Sequence, residues 1–223
     1  MRIGIIGAGF IGRALARQGI ANGHEVMVSN SRGPETLHSL PESLGCQIGT
    51  TLEAAEFSEV VIVAVPFSKY RSLSADALAG KVIIDPNNYY PERDGQIAEL
   101  DERLTTTSQM IARHLTQSRV VKAFNAVLAA DLENAGKPAG TPGRRALPIA
   151  ADDADAKAMV AALQDQFGFD VVDAGPLSDS WRFERGKPGY CRPLDVAGWV
   201  KALASAQHDV ELPTGSWQPK TSV

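Results

Sequence analysis

The chain has 223 residues, 44% of them apolar and 22% charged, with a formal net charge of -4 at pH 7. That length supports one sizeable core, or a core with a small appended lobe, and the lack of a basic surplus argues against a nucleic-acid partner. Cys46 and Cys191 lie far apart, with no CxxC pair and no histidine at ligand spacing, so neither a disulfide framework nor a metal site is expected.

The amino terminus, "MRIGIIG", reads as a strand rather than a signal peptide. No run reaches the roughly 18 apolar residues of a spanning helix, so no membrane partner is expected and the chain reads as cytoplasmic. Apolar runs follow in order: "RIGII", "HEVMVS", "CQIGT", "EVVIVAV", "KVIIDP", "RVVKAF", "RALPIA" and "FDVVDA". Runs this apolar suit strands buried on both faces. Between them, residues 11–22, 33–44, 67–78, 107–116 and 153–167 offer room for crossover helices. The alternation predicts an α/β fold, Rossmann-like and doubly wound, with a mostly parallel sheet. The helix near 153 has Asp152, Asp153 and Asp155 at its positive end and Gly168 as a stop.

The stretch "NAGKPAGTPGRR" at 134–145 reads as a loop between the first six strands and the last two. After Gly175 the pattern becomes polar and aromatic, "PLSDSWRFERGKPGYCRPLD", before a helical run at 194–206 and a tail, "LPTGSWQPKTSV", read as disordered. The expected organisation is a dinucleotide-binding domain over 1–174 and a small C-terminal extension over 175–223.

"GIIGAGFIG" places Gly7, Gly9 and Gly12 in a GxGxxG turn between a strand and a helix. Gly7 serves the tight turn, Gly9 lets a pyrophosphate approach the backbone, and Gly12 allows close packing of helix on sheet. Free amides at the helix start, from Phe10 and Ile11 in the same turn, complete the expected diphosphate site. At the end of the second strand, where an NAD site places a ribose-binding acid, stands "SNSRGPE". Ser29, Asn30, Ser31 and Arg32 all carry groups able to donate to a 2′-phosphate, and none repels it. The cofactor read from these residues is NADP(H). Pro34 and Glu35 also suit a first helical turn, a compatible reading.

"GIIGAGFIGRALA", "SNSRGPE", "VVIVAVPF", "IIDPNNYYPERDG" and "VVKAFNAV", in that order, resemble the F420-dependent NADP oxidoreductase family, whose dinucleotide-binding domain is also similar to that of the STEAP metalloreductases. The likeness runs from Met1 to about Asp173. It implies a fold, often dimeric, in which a deazaflavin such as F420 stacks on the nicotinamide and takes hydride from NADPH; a homodimer passing hydride to F420, a flavin or another small conjugated molecule is expected. It carries the pyrophosphate turn onto Gly7, Gly9 and Gly12, the 2′-phosphate site onto Ser31 and Arg32, and the loop passing over the dinucleotide onto Ala64, Val65 and Pro66. Pro66, stopping a buried strand at the crevice of a doubly wound sheet, fits that assignment on physical grounds too.

Hydride transfer needs stacking, orientation and exclusion of water more than a strong acid or base, so no catalytic residue is assigned. Asn87, Asn88, Phe124 and Asn125 are candidate walls of the pocket for a small-molecule hydride acceptor, and the amides of Asn88 and Asn125 are placed against the cofactor. Tyr89 and Tyr90 read as packing residues. Trp181, Arg182, Phe183, Arg185, Tyr190 and Cys191 form an aromatic and basic cluster suited either to a planar anionic acceptor or to a dimer contact. The histidines, His24, His38, His114 and His208, read as surface residues, the last three on helical segments. Two other functions stay open. One is a non-catalytic NADP(H) sensor; the other is a small imine or ketone reductase using Tyr89 or Tyr190 as proton donor.

Overall fold

The computed structural model describes residues 1–213 and 215. Eight strands form one sheet: β1 (Arg2–Ile6), β2 (Glu25–Ser29), β3 (Gln47–Ile48), β4 (Val60–Val63), β5 (Val82–Asp85), β6 (Arg119–Ala123), β7 (Ala146–Ala151) and β8 (Asp170–Asp173), in the order β3-β2-β1-β4-β5-β6-β7-β8. Every neighbouring pair is parallel except β6 and β7. The fold is therefore a Rossmann-like α/β fold with a largely parallel sheet. The reversal falls across the glycine- and proline-rich stretch at 134–145, so the last two strands run against the first six.

Ten helices flank the sheet among the described residues: α1 (Phe10–Ala21), α2 (Ser39–Leu44), α3 (Thr51–Phe57), α4 (Ala75–Leu78), α5 (Pro91–Asp94), α6 (Ala98–Asp101), α7 (Thr107–His114), α8 (Ala129–Asn134), α9 (Ala154–Gln166) and α10 (Val196–Ser205). Side chains alternate across each strand, which divides the core. Ile3, Ile5, Ile62, Ile84 and Val121 face α1 and α9, whereas Ile6, Val61, Val63, Ile83 and Val120 face Phe67, Met110 and Ile111 on the other side. Beyond them, Ala146, Ala150 and Val172 pack against Phe183 and Trp199. The segment after Gly175 thus covers the β7–β8 end of this second face, and the Trp199 indole N–H donates to the Ala146 carbonyl at 2.8 Å.

Local chemistry fixes the helix ends. Asp153 caps α9 by accepting from the Ala156 amide at 2.7 Å, and Gly168, at a φ of 94°, stops the chain after it. Thr50 with Glu53 and Thr106 with Gln109 form capping boxes on α3 and α7.

The helices expected over 33–44 and 67–78 are each broken. The first is a 3₁₀ turn, Pro34–Thr36, followed by α2; the second is a 3₁₀ turn, Phe67–Ser72, followed by α4. Ser74 explains the second break: its hydroxyl accepts from the Ala77 amide at 3.3 Å, starting a new helix instead of continuing the old one. His38 and His208, expected on helical segments, lie in turns, the first directly before α2 and the second beyond α10. Most of the tail read as disordered lies outside the described residues. No described helix is long and apolar enough to cross a membrane, and no described group of three or more His, Cys, Asp or Glu is placed to hold a metal ion.

Candidate functional site

In a doubly wound sheet the crevice opens where the strand order reverses, here between β1 and β4. A cleft of about 940 Å³ lies there, within the size range of small-molecule sites. Its walls come from the turn after β1, the loop after β2, Thr51, Leu52 and Ala55 of α3, and the chain running from β4 to α4.

The three glycines of the turn differ in what forces them. Gly7 has a φ of 115°, and a Cβ there would strike the Ala64 carbonyl oxygen. A Cβ on Gly12 would strike the Gly7 carbonyl oxygen, so this glycine lets α1 seat on the turn. Gly9 is different: its φ of -74° suits any residue, and a Cβ there would meet no atom within 4 Å although the residue lines the cleft. Nothing in the chain's own packing requires glycine at position 9. A bare backbone facing open space is the shape a closely approaching diphosphate needs.

Phe10 begins α1 and is 88% exposed, while Ile11 is half-buried against the core; neither lines the cleft.

Of the cluster after β2, Asn30, Ser31 and Arg32 line the cleft. Asn30 shapes the loop: its side-chain oxygen accepts from the Arg32 amide at 2.8 Å and its Nδ2 donates to Thr36 Oγ1 at 2.8 Å. Ser31 and Arg32 are exposed, and among the described residues neither side chain has a hydrogen-bond or ion-pair partner. Ser29 departs from expectation. It is fully buried, its hydroxyl donates to the Ile5 carbonyl at 3.2 Å, and its own carbonyl accepts from the Gly7 amide at 2.9 Å. As the last residue of β2 its side chain is held in the sheet, so it ties the two turns together rather than facing the cleft.

Ala64, Val65 and Pro66 form the opposite wall, anchored by the Ala64 amide on the Ile6 carbonyl at 2.8 Å. The broken helix after Pro66 adds residues that the sequence reading missed: Lys69, Ser72 and Ser74 also line the cleft. Lys69 is exposed and its ammonium has no partner among the described residues. Among the described residues no Asp or Glu lines the cleft, and two cations, Arg32 and Lys69, set its electrostatic sign.

At the ends of β5 and β6 the arrangement is the opposite. Asn88 and Asn125 are buried and joined to each other: Asn88 Nδ2 donates to the Asn125 carbonyl at 2.9 Å, and Asn125 Nδ2 donates to Asn88 Oδ1 at 3.1 Å and to the Phe183 carbonyl at 3.1 Å. The left-handed φ of 61° at Phe124 turns the chain between β6 and Asn125, a conformation that costs about 1–3 kcal/mol in a residue with a side chain. Asn125 Oδ1 is buried without a partner among the described residues. Neither asparagine is part of the cleft wall described above.

The sequence reading also missed a charge pair here: Lys122 and Asp85, both fully buried, with Nζ 3.2 Å from Oδ2. A lysine inside the apolar run "RVVKAF" and an aspartate ending "KVIIDP" were the available signal, since a charge on a buried strand demands a partner.

Much of the aromatic and basic cluster of the C-terminal segment is engaged within the chain. Phe183, Tyr190 and Cys191 are buried in the core beside Trp199. Arg185 makes a two-pronged ion pair with Glu92 at 2.9 Å, and Arg182 lies 3.7 Å from Asp179. Trp181, Arg185 and Lys187 do line a second cavity, of about 390 Å³, but Glu92, Asp101, Glu184 and Glu211 line it as well. The ammonium of Lys187 is spent on the carbonyls of Gln207, His208 and Val210.

Burial pushes the Cys191 thiol up to about 11 and the Tyr190 phenol far above its ordinary value, so both stay neutral. Tyr190 shares a 2.6 Å hydrogen bond with Tyr90. Tyr89 Oη lies 3.0 Å from the Gly95 carbonyl and 2.9 Å from Asp101 Oδ1, which share its one proton, and accepts from the Ile97 amide.

Comparison with known proteins agrees with this geometry. A family model for coenzyme F420-dependent NADP oxidoreductases matches residues 2–89. A hypothetical protein from Sinorhizobium meliloti is 30% identical, with a TM-score of 0.69 over 88% of this chain and 93% of that one. A proposed F420-dependent NADP-reductase from Arthrobacter sp. FB24 is 26% identical, with a TM-score of 0.67 over 79% of this chain and 86% of that one. The Escherichia coli K12 protein YjhV is 33% identical over 70 residues, 31% of this chain, and the match spans about half, 51%, of that curated relative. With its glycine turn, its acid-free cleft and these relatives, the chain has the fold of an NADP(H)-binding oxidoreductase and belongs to the F420-dependent NADP oxidoreductase family.

Proposed function

We propose that the chain is an NADP(H)-dependent oxidoreductase that transfers hydride between NADPH and a deazaflavin of the F420 type or another flavin-like acceptor. The observation that carries the cofactor half is the cleft itself: among the described residues, cations at Arg32 and Lys69 without partners, a bare backbone at Gly9, and no carboxylate to repel a 2′-phosphate. NADPH, when bound, supplies the hydride. The chain's residues bind and orient it: Gly7, Gly9 and Gly12 with the amides of Phe10 and Ile11 around the diphosphate, Ser31 and Arg32 at the 2′-phosphate, and Ala64, Val65 and Pro66 along the opposite wall. Asn125 Oδ1, buried without a partner among the described residues, is an acceptor suited to an amide N–H of the carboxamide, with Asn88 holding it in place.

The acceptor half rests on the family's name and on the name of the Arthrobacter relative. No titratable side chain is needed for the transfer, because orientation and exclusion of water carry it. We propose further that the molecule works as a homodimer and that residues 1–174 form the cofactor-binding unit, with 175–223 serving the acceptor or the dimer contact.

The test is a pair of titrations. Wild type binds NADPH more tightly than NADH, and Arg32→Ala removes about 1.5–3 kcal/mol of NADPH binding, the worth of hydrogen bonds to a charged group, while NADH binding stays within twofold. Equal affinity of wild type for the two cofactors overturns the reading of the cleft. Loss of F420 absorbance on mixing with enzyme and NADPH tests the acceptor; turnover with a free flavin but not with F420 moves the assignment to flavins.

A further inference from the structure

The buried pair at the ends of β5 and β6 has no part in the proposed binding of NADPH, yet five hydrogen bonds converge on it. Asp85 and Lys122 are partners in the parallel ladder. Lys122 Nζ donates to Asp85 Oδ2 at 3.2 Å, to Thr107 Oγ1 at 2.8 Å and to the Asn87 carbonyl, and it faces Glu184 Oε1 at 3.8 Å. Asp85 in turn accepts from the Asn87 amide at 2.9 Å and from Ser108 Oγ at 2.5 Å. Desolvating two charges is costly, and apolar residues of similar volume often serve stability as well or better. What the pair specifies is therefore more informative than what it stabilises.

Its contacts run in two directions. Outward lies Glu184, which closes the 3₁₀ turn Leu177–Phe183 and whose carboxylate accepts from Thr107 Oγ1 at 2.7 Å while facing the Lys122 ammonium. Inward lies Asn87. Its amide is held by Asp85 and its carbonyl by Lys122, and its side-chain Nδ2 donates to the Val63 carbonyl at 2.8 Å. Val63 is the last residue of β4, directly before the Ala64–Val65–Pro66 wall of the cleft. Polar contacts thus run from the C-terminal segment to the cofactor wall through one ammonium and one asparagine.

We propose that Lys122 is a positioning residue: through Asn87 it couples the Glu184 end of the C-terminal segment to the Ala64–Pro66 wall, so that filling the cleft and ordering that segment favour each other. The coupling is reciprocal, as linkage between two sites requires. It rests on the reading of the cleft as the NADP(H) site.

The experiment is hydrogen–deuterium exchange of the full chain with and without saturating NADPH, in wild type and in Glu184→Gln. This variant keeps the side chain's size and leaves Asp85 and Lys122 together, whereas Lys122→Met strands a buried carboxylate and endangers folding. In wild type, NADPH slows exchange of peptides covering 177–184 about three- to tenfold although none of those residues lines the cleft. In Glu184→Gln that protection falls below about twofold, while NADPH still protects the glycine turn. A purely structural role would lower the melting temperature of the variant and leave NADPH-dependent protection of 177–184 intact, which would overturn the proposal. Failure of wild type to bind NADPH overturns the cleft reading and this coupling with it; binding without protection of 177–184 overturns the coupling alone.

Discussion

Along the carboxyl ends of β1, β2 and β4, Ser31, Arg32 and Lys69 face a cleft and their side chains have no partners among the described residues. Farther along the same rim, at β5 and β6, buried polar groups are bonded in two sets, Asp85 with Asn87 and Lys122, and Asn88 with Asn125, whose Oδ1 is left without a partner among the described residues. One half of the rim keeps donors in reserve for something outside the chain, and the other half spends them on the chain itself. The difference separates two roles that composition alone confuses, since both halves are rich in amides, hydroxyls and cations. Unpaired donors beside an acid-free cleft mark where a ligand's charge belongs; a closed polar network marks where geometry is held.

The largest expected effect tests the closed half. Lys122→Met leaves Asp85 buried and uncompensated, and stability falls by about 3–5 kcal/mol, read from the midpoint of urea unfolding. A loss under about 1 kcal/mol would mean that water or a rearranged partner reaches Asp85, and the contrast between the halves would weaken.

Gly9→Val asks the complementary question of the open half. The backbone there suits a side chain and no atom stands in its way, so stability changes by less than about 1 kcal/mol. NADPH affinity falls at least about a hundredfold, near 2.7 kcal/mol, because the branched side chain occupies the diphosphate's approach. Gly7→Ala reverses the pattern: its Cβ meets the Ala64 carbonyl at a φ of 115°, and the cost falls on the fold. Urea unfolding paired with cofactor titration separates the two outcomes, and a Gly9→Val protein that binds NADPH normally would remove the diphosphate from this turn.

Lys69→Ala probes the edge of the open half. An exposed cation facing a phosphate contributes about 0.5–1 kcal/mol at low salt and less as salt rises. NADPH titrations at two ionic strengths should show a difference of a few-fold that shrinks at the higher one; a difference unchanged by salt would point to shape, not charge.

Much of the open half was legible in the sequence because its signals are local. Three glycines at fixed spacing between strand and helix, and a polar cluster where an acid usually stands, encode a turn and a charge preference within about thirty residues. Ser29 was misplaced because the cluster was read as one loop, although β2 carries that side chain into the sheet. Lys69 was missed because 67–78 was read as one helix, whereas Ser74 starts a second one.

The closed half is built from partners far apart in the chain, such as Lys122 with Asp85 and Arg185 with Glu92. Asp179 stands three residues from Arg182 in the segment itself, but Glu92, the partner of Arg185, lies 93 residues away in the chain, so the aromatic and basic run reads equally as an acceptor seat or a dimer contact. A lysine inside an apolar strand was the overlooked clue, because its burial alone requires a carboxylate nearby.

The smallest expected effect comes from the surface of the closed half. Hydrogen bonds from Arg185 hold the exposed Glu92 carboxyl at about 2, below its ordinary 4.5, and Arg185 lies 4.6 Å from the centre of the Tyr90 ring. A carboxylate whose folded value is depressed favours the folded state above its unfolded value and loses that contribution as pH falls through its folded value. The window here therefore runs from about 4.5 down to about 2. Because the pair is exposed, the effect is small and screened by salt. Glu92→Gln should melt slightly below wild type at neutral pH, and the gap should close as pH falls through that window. NADPH affinity should not change, since neither Glu92 nor Arg185 lines the cleft or joins the Lys122 contacts that reach its wall. A loss of affinity in Glu92→Gln would show instead that the open half depends on the whole closed half, and not on Lys122 and Asn87 alone.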